Sequence, residues 1–135
     1  MKKNARDRYF GHTIEEDLVL LPEELERDAI GLWHLVAAGR DNFELSGSDL
    51  VEYVRRHILN LLEKGAKPVF GVRDGVHYWR VVDYGNNPDK IAGAIINEWL
   101  TSGVDPKPGD VWFALPHVYE ATMPQSTDAE TGRRK

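Results

Sequence analysis

Apolar side chains recur at three- and four-residue steps in three stretches of this chain, and that period is the signature of an amphipathic helix. In the first, Leu25, Ala29, Leu32, Trp33, Val36 and Ala37 line one face behind Pro22. Proline suits a first helical turn, Glu23, Glu24 and Glu26 suit the positive end of a helix dipole, and Gly39 suits the stop. The spacing predicts a helix over 22–38. The second stripe, Leu50, Val54, Ile58, Leu61 and Leu62, opens at Ser46-Gly47-Ser48-Asp49 and ends at Gly65. Ser46 (with Asp49) or Ser48 can accept from the free N–H groups of its first turn. The third, Ile91, Ala92, Ile95, Ile96, Trp99 and Leu100, opens on Asn87-Pro88 and closes at Gly103.

A different period occupies the chain between the last two. Residues 67–73 and 76–83 are rich in β-branched and aromatic side chains and flank Asp74-Gly75. Such a pair predicts a hairpin with a two-residue type I′ loop. That loop would set Val72 opposite His77, Phe70 opposite Trp79 and Pro68 opposite Val81. Phe70, Val72, Trp79 and Val81 would then share the core face, with His77 beside them. Residues 110–115 read as a further strand, stopped or bent by Pro116 and continued by His117-Val118-Tyr119.

Residues 1–21 show no clear period and are compatible with a short helix or strand. Beyond Ala121 the chain is polar and aperiodic, so 122–135 read as a disordered tail. The order α-α-β-β-α-β argues for one α+β domain over 1–121, with about three helices on a small antiparallel sheet.

Composition supports a packed domain: 41% of the 135 residues are hydrophobic and 29% charged, both near the globular average. No cysteine is present, which removes disulfides, thiolate metal sites and cysteine nucleophiles. The basic start lacks the apolar run of a secretory leader, and Leu32–Ala38 is far short of a membrane span. The expected setting is the bacterial cytoplasm. The net charge of −5 is uneven: residues 1–8 carry four bases and one acid, and 122–135 carry three bases and two acids. Residues 9–121 therefore hold −9. Such a body repels nucleic acid and favours basic partners.

Catalytic signatures are missing. The five histidines form no HExxH, HxH or HxxxH pair, serine lies in no GxSxG or SxxK context, and no phosphate-binding glycine loop occurs. No cofactor, metal or catalytic residue is therefore expected. Aromatic residues crowd the second half, and Trp112-Phe113 must point to opposite sides of one strand. Either both sheet faces are covered or one ring is free to dock a partner. The candidate partner- or ligand-binding residues are His77, Trp79, Asp83, Asp110, Trp112 and His117, with Glu98 near the two aspartates. Together these features point to a non-catalytic protein-interaction domain that binds a basic protein, as an inhibitor or toxin-neutralising, immunity-like protein would. Self-association is a variant of that reading. The alternative is a small enzyme or ligand-binding domain with a His/Asp cleft around Trp79 and Trp112.

Overall fold

The structure, a computed structural model, describes residues 5–124. It opens with a tight turn in which Arg6 bridges Thr13. Thr13 and Glu16 then close a capping box: the Glu16 N–H donates to Thr13 Oγ1, and the Thr13 N–H to Glu16 Oε1. This starts helix α1 (Ile14–Leu20), which runs into a 3-10 helix, Leu21–Glu26.

The helix expected over 22–38 is broken. After the 3-10 turn come strand β1 (Ile30–Gly31), helix α2 (Leu32–Ala37) and a π-helical turn, Ala38–Asn42. The break has local and tertiary causes. Asp28 takes the Ala29 N–H, His34 Nδ1 takes the Gly31 N–H, and the Leu32 N–H goes to the Val111 carbonyl. Backbone groups that a continuous helix would satisfy internally are spent on side chains and on a neighbouring strand. Leu25, Ala29, Leu32 and Val36 are buried all the same. Gly39 does not stop the helix but lets the chain pass Leu50 and Tyr53, whose side-chain atoms lie 2.6 and 2.8 Å from where a Cβ would stand.

Helix α3 (Gly47–Glu63) follows as expected, although no side chain at Ser46 caps it. Strand β2 (Lys67–Gly71) pairs with β3 (Trp79–Val81) one residue out of the expected register: Val69 faces Val81, Phe70 faces Arg80 and Gly71 faces Trp79. Asp74 causes the slip. Its carboxylate accepts from the Val76 and His77 N–H groups, which opens the loop to residues 72–78 in place of a two-residue turn. A one-residue slip changes the face of every side chain on a strand. Trp79 and Val81 thus share a face with Val69, while Phe70 packs against the main core. His77 is exposed rather than core-facing.

Helix α4 (Pro88–Ser102) matches expectation, with Asn87 accepting from the Lys90 N–H and Gly103 left-handed at its end. Strand β4 is Trp112–Ala114, and Pro116 begins helix α5 (Pro116–Tyr119), a single turn where further strand was expected. Among the described residues, five α-helices and a four-stranded antiparallel sheet, ordered β1-β4-β2-β3, make an α+β fold. Thr122 bridges His77 and the Met123 N–H reaches the Val76 carbonyl, so the body extends past Ala121. The rest of the expected tail lies outside the described residues.

The core sits between α3, α4 and one face of the sheet, with Tyr53, Leu61, Ile95 and Phe113 fully buried. No described helix is long and apolar enough to cross a membrane.

Candidate functional site

Two regions carry polar or aromatic side chains beyond the needs of the core. The first is the other face of the sheet. Phe113 enters the core, so Trp112 stands on the opposite side, and its Nε1 donates to the Pro108 carbonyl at 2.7 Å. The Trp79 ring lies 5.3 Å from it, the His34 ring 5.3 Å and the Trp33 ring 6.4 Å. Gly31 opposite Trp112 makes room for this stack, since a Cβ there would fall 2.7 Å from Trp33 Cδ1 and 3.1 Å from Trp112 Cδ2. Beside it is a groove of about 430 Å³ lined by Arg27, Asp28, Tyr78, Trp79 and His117.

Of the residues singled out in the sequence, Trp79 and Trp112 come together here, with His117 across the groove. His117 is tied down by its Nε2 to the Glu26 carbonyl, 2.7 Å away. His77 stays out on the hairpin loop, where its Nδ1 meets Asp74 Oδ2 at 2.8 Å. The backbone and ring hydrogen bonds of His77 and the Val76 N–H hold the Asp74 carboxyl far below the ordinary range. Asp83 and Asp110 are turn residues: Asp83 accepts from the Gly85 N–H and Asp110 from the Lys107 N–H. Asp110 joins Glu98 in a separate cavity of about 230 Å³ over Phe70 and Trp99, and Asp83 lines neither cavity. The His/Asp cleft imagined around Trp79 and Trp112 is not assembled as one place. No group of three or more metal-ligating side chains occurs among the described residues.

The second region was not singled out from the sequence. A cleft of about 580 Å³ lies between the N-terminal turn, α1, the 3-10 helix, α2 and the π-turn. Four carboxylates line it, Asp7, Asp17, Glu24 and Asp41, with His12, His34 and Tyr53. Among the described residues its lining holds no lysine or arginine. Two guanidinium groups that feel the Asp41 charge make their close pairs with other acids, Arg8 with Glu44 and Arg40 in a two-pronged pair with Asp105. Burial pushes the His34 imidazole down, which keeps it neutral at pH 7 and leaves the negative charge unopposed by it.

Two of these acids are structural. Asp7 is buried and accepts from the Tyr9 and Phe10 N–H groups. Asp17 Oδ2 accepts from the Tyr53 hydroxyl at 2.8 Å and lies 3.1 Å from Nε2 of the fully buried His57. Burial pushes the Asp17 carboxyl up, but the bonds from His57 and Tyr53 outweigh it and hold the group below the ordinary carboxylate range. Burial and the adjacent Asp17 charge drive the Tyr53 hydroxyl far above the usual phenol range. Glu24 and Asp41 make no side-chain hydrogen bond or close ion pair among the described residues, although Asp41 lies within the electrostatic reach of Arg8 and Arg40 and Glu24 within that of His34. Phe10, 78% exposed, and Leu20, 41% exposed, stand at its mouth.

Two signals in the sequence pointed here. Thr13-x-x-Glu16 is a capping box that places α1, and a histidine on the apolar stripe of α3 demands a partner. No family model, curated protein or solved structure matches the chain.

Proposed function

We propose that this domain is a non-catalytic interaction protein that binds a basic protein partner, with lysine or arginine side chains of the partner entering the acidic cleft. The observation that carries the reading is the cleft lining of four carboxylates without a lysine or arginine among the described residues. Glu24 and Asp41, which have no side-chain hydrogen bond among the described residues, offer acceptors for a guanidinium or ammonium group, and exposed Phe10 and Leu20 supply the apolar contact that a docking surface needs. The −9 carried by residues 9–121 would steer a cationic partner toward it. Inhibitors and toxin-neutralising proteins of bacterial cytoplasm act in this way, and the domain fits that class.

The test is co-purification of the full chain from its native host, with cross-linking to locate the contact. A stoichiometric basic partner cross-linked beside residues 20–41 is expected. Glu24→Gln with Asp41→Asn should weaken that complex by about tenfold or more, and raising the salt from roughly 0.05 to 0.5 M should weaken it further. A complex insensitive to both, or cross-links confined to the aromatic face, would overturn the assignment. Binding of a small amine in place of a protein would favour a ligand-binding domain at the same cleft, a reading supported by its volume and by Asp17 and Tyr53 in its wall.

A further inference from the structure

Helix α1 is attached to the body in an unusual way for a core-flanking helix. Ile14 is its one buried side chain, and Val19 and Leu20 are exposed by 69% and 41%. Leu18 adds a half-buried contact. Most specific attachments of α1 to α3 are polar. Asp17 holds Tyr53 and His57, Glu15 pairs with Arg56 at 2.7 Å, and the Asn60 side-chain amide donates to the Leu18 carbonyl. Beneath them His57 is fully buried, and its Nδ1 has no hydrogen-bond partner among the described residues. A segment with little apolar burial and exposed flanks belongs to the low end of the local-stability range.

We infer that α1 is an acid-releasable lid: protonation of Asp17 loosens its hold on Tyr53 and His57 and lets α1 swing off α3 while the remaining body stays folded. The charged carboxylate is the acceptor for both bonds, and hydrogen bonds to an ionised acceptor are about twice as strong as neutral ones. A neutral carboxyl would have to surrender that advantage at a buried site. Release would uncover His57 and widen the acidic cleft, since Asp17, Leu20 and Leu21 form part of its wall. The surrounding charges come from every neighbouring element. His12 and Asp7 lie on the N-terminal turn, Glu24 on the 3-10 helix, His34 on α2 and Asp41 on the π-turn. On α1 itself Glu15 is engaged by Arg56. The depressed Asp17 carboxyl sets the direction, because the open state binds the proton more readily than the closed one, so opening grows as pH falls below the ordinary carboxylate range. This inference does not depend on the identity of any partner.

Amide hydrogen exchange of the full chain tests it, read by mass spectrometry at neutral pH and near pH 3 and corrected for the intrinsic pH dependence of exchange. Asp17→Asn at neutral pH should speed exchange in 14–20 by about tenfold and leave α4 and β4 unchanged. Wild type near pH 3, below the ordinary carboxylate range, should move in the same direction. Tyr53→Phe, which keeps the ring, should give a smaller increase confined to the same segment. Glu15→Gln, which alters only the exposed pair, should leave exchange within about twofold. Protection of 14–20 that is lost only together with α3 and α4 would overturn the lid, as would protection indifferent to both pH and Asp17→Asn. If Asp17→Asn fails to fold, Tyr53→Phe and the wild-type pH comparison decide.

Discussion

The acidic cleft and the aromatic face of the sheet draw on the same residue types and use them in opposite ways. In the cleft, carboxylates collect and the hydroxyl of Tyr53 donates a hydrogen bond to one of them. On the sheet face, rings collect and three of their polar atoms are spent on backbone, Trp112 Nε1 on Pro108, His117 Nε2 on Glu26 and His34 Nδ1 on Gly31, while Trp33 Nε1 is buried without a hydrogen-bond partner among the described residues. The cleft therefore has carboxylates without a close hydrogen-bond or ion-pair partner among the described residues, at Glu24 and Asp41, while the face has only partly covered apolar surface. Uncommitted charge in a concave site is the better pointer to a partner, since apolar rings on a face are also what small satellite cores are made of.

Substitutions can break or sharpen that contrast, beginning with the strand that separates core from face. Phe113→Ala should cost about 3–5 kcal/mol by denaturant titration because it empties a fully buried ring site. Trp112→Ala on the other side of the strand should cost clearly less; an equal loss would mean the face is true core. Gly31→Val should cost about 1–3 kcal/mol through collision with Trp33 and Trp112. On the cleft side, Asp17→Asn should cost about 1.5–3 kcal/mol at pH 7. The pH dependence has a definite sign. Because the folded Asp17 carboxyl is held low, its contribution is complete above the ordinary carboxylate range and disappears as pH falls through its folded value. Stability of Asp17→Asn should consequently fall less steeply than wild type between about pH 5 and pH 3. Smallest of all, Glu15→Gln should change stability by under about 1 kcal/mol, since both partners face solvent.

Much of the architecture was readable in advance. The stripes of α3 and α4, the Asn87 cap and the antiparallel pairing of the two middle strands all follow from local spacing and local chemistry. The candidate site was less legible. Trp79 and Trp112 were seen as a pair of interest, but Asp83 and Asp110 serve turns, and the cleft arose from a region whose period was too short to assign. Seven-residue α1 carries only one buried side chain, too little for a stripe to register.

What local sequence determined, then, is which segments bury an apolar side and where helices with strong caps begin and end, because those interactions lie within a few residues of each other. Other outcomes depended on contacts that the apolar period does not show. Residues 22–38 broke into two helical pieces around β1 because Asp28 and His34 take local N–H groups and the Leu32 N–H goes to the distant Val111 carbonyl, and the hairpin register was set by the wide loop that Asp74 holds. Tertiary structure alone joined Asp17 to His57 across 40 positions of chain. A buried imidazole and a carboxylate each raise a demand for a partner that is visible from the residue alone, but which groups meet is settled only when the chain packs.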